Sequence, residues 1–311
     1  MPTQKRTVFQ REGDPYLYLS VRGEWYCYDP NEEPLGGGAM GTVYKGYKVK
    51  DGNPVAIKRV KDEYANNKFI RERAVLEASL AFRHPNLIEM IGCCMIAPNQ
   101  GPIWLISNFV QGKDIDKYVQ EMPEGPQKTE WICMAMCQVL NALEYIHANG
   151  IIHRDIKPSN IMIEDDSNVR LMDLGIARMS SGNKFSQAGF IGTPQYAAPE
   201  QVSRNPNSNT PISAATDIYA LGVTTYELLT GTNPFNCESE IETLTRQMRD
   251  PLPPDDKIPK RLMQVLLKAT MKDPTRRYRS AAEFREAINA AFAPPPTLWE
   301  KIKNWFTEKF H

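Results

Sequence analysis

The chain has 311 residues, 41% of them hydrophobic, and its 37 Lys plus Arg balance 37 Asp plus Glu to a formal net charge of zero. That length supports a large core in one two-lobed unit or two domains, and the balanced charge excludes the basic field of a nucleic-acid binder and the acidic run of a solvated tail. The six cysteines lack zinc-type C-x-x-C pairs and fit a reduced, cytoplasmic setting, the N-terminus lacks a signal-peptide core, and no stretch reaches the roughly 18 apolar residues of a membrane span.

Residues 1–15 are polar and expected to be mobile. Aromatic-rich runs at 16–21 and 24–28, split by Arg22-Gly23, predict a hairpin. A glycine-rich turn at 36–41 follows, then strands at 42–47 and 54–60. Residues 67–82 have helical spacing, with Phe69, Ile70, Arg73, Leu76 and Leu80 near one face. Strand signal returns at 87–95 and 103–109, and helical patterns then dominate at 131–148, 215–229, 260–271 and 281–292. A β-rich first third followed by a helix-rich remainder predicts an α+β fold in two lobes, 16–107 and 114–292, joined by a hinge at 108–113. After Pro294-Pro295-Pro296, Thr297 to Glu300 forms a capping box for a short amphipathic helix over 297–311. That helix is expected to dock on its own domain, on a membrane surface or on a partner.

The chemistry concentrates in residues 151–163, I-I-H-R-D-I-K-P-S-N-I-M-I, where a charged cluster lies between apolar runs. Such a loop is held at both ends by buried elements. Phosphoryl transfer needs a carboxylate near the incoming hydroxyl, a lysine against the moving phosphoryl group, and an amide oxygen plus a second carboxylate on the metal. Asp155, Lys157, Asn160 and Asp173 are those residue types. Upstream, residues 35–43 contain G-x-G-x-x-G. A dinucleotide fingerprint would open a helix and carry an acidic ribose ligand, whereas Thr42-Val43-Tyr44-Lys45 continues as a strand. A plain hairpin is the bland reading of the same glycines.

Together, His153-Arg154-Asp155 with Lys157 and Asn160, Asp173-Leu174-Gly175, the glycine loop, Val55-Ala56-Ile57-Lys58 and Gly192-Thr193 to Ala198-Pro199-Glu200 follow one order over 30–292. That set resembles the eukaryotic-type serine/threonine protein kinases, the bacterial members above all. The resemblance implies a β-rich N-lobe with one regulatory helix and a mainly helical C-lobe, within a kinase domain at 16–292. It also implies ATP with Mg2+, or Mn2+ in its place, and protein substrates rather than nucleic acid.

Site roles follow from the same resemblance. Leu35, Gly36, Gly37, Gly38, Ala39, Met40, Gly41 and Val43 would cover the nucleotide, with Ala56 and Met162 also against it. Ser107 would be the gatekeeper, backbone groups of Asn108 and Val110 would bind the adenine edge, and Asp114 would meet the ribose or cap the helix starting at Ile115. Lys58 would hold the α- and β-phosphates, paired with Glu72. Because His84-Pro85-Asn86 arrives about one helical turn late, Glu77 is the other candidate. Asp155 would be the base and Lys157 the phosphoryl-stabilising cation, with Asn160 and Asp173 on the metal and His153 packed beneath. Lys157 with Thr193 is the serine/threonine pattern. Glu200 is expected to pair with Arg277, Asp217 to anchor the catalytic loop, and Arg154 to meet a phosphate on Ser180, Ser181 or Ser186 after autophosphorylation within 179–191. Two other readings stand: a pseudokinase scaffold, and an aminoglycoside-type small-molecule kinase, which the 192–200 motifs disfavour.

Overall fold

In Val55-Ala56-Ile57-Lys58, strand alternation sends Val55 and Ile57 to one face of the sheet and Ala56 and Lys58 to the other. A computed structural model describes residues 7–38, 41–80, 82–164, 167–173, 193–202 and 211–292, with Phe69 and Arg73 described by backbone alone. The expected 297–311 helix, Leu174-Gly175 and the candidate serines at 180, 181 and 186 lie outside these residues, as do Ala39 and Met40.

The first lobe is an eight-stranded antiparallel sheet built from β1 (Val8–Gln10), β2 (Leu17–Val21), β3 (Glu24–Tyr28), β4 (Gly36–Gly37), β5 (Gly41–Lys48), β6 (Pro54–Val60), β7 (Met90–Met95) and β8 (Ile103–Asn108). The order is β1-β2-β3-β5-β6-β8-β7, with β4 also on β5. Val55 and Ile57 bury against Leu19, Val21, Tyr26 and Tyr28 of the leading strands, and Trp104 Nε1 donates to the Tyr28 hydroxyl at 2.9 Å. The opposite face carries Val60, Ile103 and Leu105 under helices α1 (Asp62–Ala65) and α2 (Lys68–Ser79), through Ala65, Ile70, Ala74 and Ala78.

Of the residues 1–15 expected to be mobile, 1–6 lie outside the described residues and 7–10 are tied to the sheet. Val8–Gln10 pairs with β2, Phe9 stacks on Tyr18 at 4.9 Å, and Thr7 Oγ1 donates to Met95 O at 3.0 Å. Where the hairpin crosses β7, a side chain on Gly92 would stand 2.4 Å from Val21 Cγ1, so only glycine fits. The strand expected from 87 begins at Met90, because Leu87 and Ile88 cross to Leu171 instead, with Ile88 N–H donating to Leu171 O at 3.0 Å.

The second lobe contains α3 (Ile115–Glu121), α4 (Pro126–Ala148), α5 (Pro199–Val202), α6 (Ala214–Thr230), α7 (Glu240–Arg249), α8 (Lys260–Ala269) and α9 (Ala281–Phe292). Helix α6 is buried on nearly every side, as a helix at the centre of a lobe must be, and α4, α8 and α9 pack on it. A small sheet, β9 (Gly112–Asp114) with β10 (Ile161–Glu164) and β11 (Asn168–Leu171), caps this core under the first lobe. Because β9 pairs with β10, the linker between the two sheets shortens to Phe109, Val110 and Gln111. The two-lobed α+β arrangement stands. Among the described residues, no helix is long and apolar enough to cross a membrane, and all six cysteines are free.

Candidate active site

Asp217 sits fully buried in the first turn of α6 and binds the catalytic loop by its backbone. Its carboxylate accepts from His153 N–H at 2.8 Å, Arg154 N–H at 2.7 Å and His147 Nε2 at 2.8 Å. Arg154 is thereby held at φ 66°, in the left-handed region that a side chain disfavours. His153 is wholly buried, and that burial pushes its pKa down, so the ring is neutral. Nδ1 accepts from the Asp155 N–H at 3.3 Å, so Nε2 carries the proton and donates to Met172 O at 2.9 Å. The ring thus ties the Asp155 backbone to the segment that ends in Asp173.

These contacts bring four predicted residues into one hydrogen-bonded group. Asn160 Nδ2 donates to Asp155 O at 2.8 Å and to Asp155 Oδ2 at 2.9 Å. Thr193 Oγ1 donates to Asp155 Oδ1 at 3.2 Å and accepts from Lys157 Nζ at 2.9 Å, and Lys157 Nζ lies 3.4 Å from Asp155 Oδ2. With both amide protons of Asn160 committed to Asp155, its carbonyl oxygen is the atom left for a cation.

The nucleotide-side predictions share one face of the first sheet. Val43 is paired across from Lys58, and Ala56 across from Ser107, while Met162 is paired across from Asp114 in the small sheet. The glycine turn is a narrow hairpin: Leu35 N–H donates to Val43 O, Gly36 and Gly37 pair with Val43 and Thr42, and Gly38 N–H donates to Gly41 O. A Cβ on Gly41 would lie 2.6 Å from Arg59 O, so the turn cannot carry a side chain there. Asn108 N–H is taken by Glu89 O at 3.0 Å, whereas the Val110 N–H makes no hydrogen bond among the described residues. Asp114 occupies the N-cap position of α3 without a capping bond and instead meets Lys117 at 2.8 Å.

Glu72 lies away from this group. Its side chain is 63% exposed and its ion-pair partner is Lys68 at 3.9 Å, on the outer surface of α2. Glu77, five residues on and so roughly 140° round the helix, is buried and lies within the fields of Lys58 and Asp173. Burial first, then the Asp173 charge, pushes its pKa up to about 7, and Lys58 opposes the shift. Lys58 Nζ itself ion-pairs with Asp173 Oδ2 at 2.6 Å. Asp173 has φ 43° and a half-exposed carboxylate, and no cluster of three or more His, Cys, Asp or Glu occurs among the described residues. One carboxylate and one amide oxygen at a cleft suit an oxygen-seeking ion that keeps water and phosphate in its shell.

A family model described as protein kinase domain matches residues 30–292. The chain belongs to the protein kinase domain family. It is 34% identical over 273 residues to the serine/threonine-protein kinase PknB of Mycobacterium leprae, covering 84% of this chain and 43% of that one. To the serine/threonine-protein kinase PrkC of Bacillus subtilis it is 31% identical over 265 residues, 83% of this chain and 39% of that one. The chain therefore spans less than half the length of these relatives. A crystal structure of the Mycobacterium tuberculosis PknI kinase domain shares the fold, with TM-score 0.64 at 24% identity, over 84% of this chain and 94% of that one.

Within this kinase domain the segment from Pro194 to Glu200 is fixed from below. Arg277 binds Glu200 through two bonds of 2.8 and 2.9 Å, both side chains out of water, and Thr216 Oγ1 donates to Glu200 at 2.8 Å. Gln247 on α7, a helix the sequence pattern did not predict, donates to Pro194 O at 3.3 Å and bonds Gln195 O, so it holds the turn that presents Thr193. Its signal was weak because the buried residues of α7 are Thr243, Leu244 and Gln247, only one of them apolar.

Proposed function

We propose that the chain is a serine/threonine protein kinase that transfers the γ-phosphate of ATP to protein hydroxyls. The observation that carries this reading is the Asp155–Thr193–Lys157 group, with Asn160 bonded to the same carboxylate. Asp155 Oδ1 takes the acceptor hydroxyl proton as oxygen attacks the γ-phosphorus and the bond to the β-phosphate oxygen breaks. Lys157 offsets charge on the moving group, and Lys58, with Glu77 rather than Glu72 as its helix partner, holds the α- and β-phosphates. The glycine hairpin covers the phosphates, Val43, Ala56, Ser107 and Met162 line the base, and the Val110 N–H meets its edge. Magnesium held by Asn160 Oδ1 and Asp173 would neutralise phosphate charge, and Mn2+ suits the same oxygen donors.

The late helix exit, with Glu72 out of place, is what favours a scaffold without turnover, and a buried Glu77 within the field of Lys58 supports turnover instead. The balanced charge and free thiols support a cytoplasmic setting. Labelled-phosphate transfer by wild type and Asp155→Asn tests the reading, with an expected loss of about 10²- to 10⁴-fold. Equal incorporation would remove Asp155 from the chemistry. Autophosphorylation within 179–191 belongs to the same reading, and an active enzyme whose phosphopeptide map leaves that segment unmodified overturns it.

A further inference from the structure

Beside the catalytic loop lies a cavity of about 550 Å³. Lys157 and Thr193 line one end, and α3 supplies Asp116 and Gln120. Because Thr193 Oγ1 is 3.2 Å from Asp155 Oδ1, the cavity opens where an acceptor hydroxyl would sit. A chain whose serine reaches Asp155 has this space within reach of a neighbouring residue.

The charges of the cavity wall are unevenly answered. Glu124 is met by Lys128 at 2.7 Å. Glu227 accepts from Asn233 Nδ2 at 2.9 Å and from the Tyr196 hydroxyl. Lys257 donates to Thr230 O at 3.0 Å, and Lys157 to Thr193. Asp116 differs: its Oδ1 is buried and accepts no hydrogen bond among the described residues. A buried acceptor left unmade costs about 1–3 kcal/mol, and more when it is charged. A donor that arrives with the substrate would recover that cost.

We propose that the cavity is the subsite for a residue flanking the acceptor in the protein substrate, and that Asp116 selects arginine or lysine there. The inference rests on the kinase reading above. A guanidinium or ammonium group supplies both the missing donor and the opposite charge, and the bond to a carboxylate is charge-assisted. An acidic side chain in the same place would face Asp116 and Glu227 together, which rejects it. A water molecule is the competing occupant of the Oδ1 site, and it would give no preference among substrates.

Peptides with one serine in an alanine background, scanned with single arginine or glutamate at each neighbouring position, test this with the full chain and Mg-ATP. Arginine at one position should raise kcat/KM about tenfold over alanine, and Asp116→Asn should cut that ratio to about twofold or less. Asp116→Arg should move the preference at that position to glutamate, a gain that a damaged fold cannot produce. Equal rates for alanine and arginine peptides, or an arginine preference that survives Asp116→Asn, would overturn the subsite while leaving the kinase reading intact. No incorporation into any peptide or into the chain itself would overturn the kinase reading, and the subsite with it.

Discussion

Lys58 Nζ stands 2.6 Å from Oδ2 of Asp173, 115 residues further along the chain, and the buried carboxyl of Glu77 feels both charges. Lys58 ion-pairs with Asp173, and Glu77, pushed up to about 7 from an ordinary 4.5, stays partly protonated at neutral pH. Its folded pKa lies above its unfolded one, so the stability it contributes is full below the unfolded value and is lost as pH rises through about 7. The nucleotide-free protein should lose on the order of 3 kcal/mol across that window, and Glu77→Gln should flatten the slope. Thermal unfolding at pH values on both sides of the window measures it. A slope unchanged in Glu77→Gln would assign the effect to other groups.

The same pair of glutamates separates activity from surface charge. Glu77→Gln should lower phosphate transfer about 10- to 100-fold by loosening Lys58, while Glu72→Gln, exposed against Lys68, should stay within about twofold. The opposite ranking in a labelled-phosphate assay would return the role to Glu72.

The outward placement of Glu72 has a physical source. The periodicity that predicts the helix puts Leu76 on its buried face, yet Leu76 is 37% exposed and the face turned inward is Ile70, Ala74, Glu77 and Ala78. Ile70 belongs to both faces, but two alanines and an acid carry little hydrophobic signal, so the pattern leans toward Leu76. The late arrival of His84-Pro85-Asn86 was the better guide, because it is a count along the chain rather than a pattern of polarity. By contrast, Pro54–Val60 was legible to the residue, because Val55 and Ile57 alternate with residues of the other face. Asp217, Glu200 and Arg277 were legible as motif positions, although their burial was not. Three residues cannot display alternation, so β1 could be seen only through its partners Tyr18 and Trp25.

Glu200 and Arg277 bury one charge of each sign with every polar neighbour arranged around them. The guanidinium also donates to Ala215 O and Met271 O, at 2.8 and 2.7 Å. Removing one partner leaves a buried charge, so Glu200→Ala should cost about 3–5 kcal/mol. The pair itself adds less, and Glu200→Leu combined with Arg277→Met should recover part of that loss. Chemical denaturation of Glu200→Ala and of the double variant decides the point, since a double variant no more stable than Glu200→Ala would mean the stranded arginine charge is not what the single change costs.

The family match begins at residue 30, yet residues 7–28 cover Val55, Ile57, Trp104 and Ile106. Each such side chain is worth about 1.5–3 kcal/mol when buried. A chain trimmed to start at residue 30 should therefore unfold at a lower temperature and self-associate through the bared face. Size exclusion and thermal unfolding report both effects. A trimmed protein that is monomeric and equally stable would show that the leading strands are dispensable to the sheet.

Arg71 makes the position of Glu77 depend on a distant turn. It is 3% exposed on α2, and its guanidinium donates to Ala65 O and Gly101 O at 2.6 Å, to Pro98 O at 2.8 Å, and to Ala97 O. Every oxygen is a backbone carbonyl, so the helix is tied to the 96–101 turn between β7 and β8 by geometry rather than by ion pairing. A lysine keeps the charge but loses the planar fork that reaches four carbonyls at once. Arg71→Lys should therefore cost about 2–3 kcal/mol, since bonds to a charged donor are worth about 1.5–3 kcal/mol each and some survive. It should also lower kcat for phosphate transfer more than it raises KM for ATP, because the helix that carries Glu77 loses its register while the glycine hairpin is untouched. Amide exchange should quicken in both the turn and α2. Unchanged exchange with an unchanged kcat would show that α2 is held by its apolar face alone.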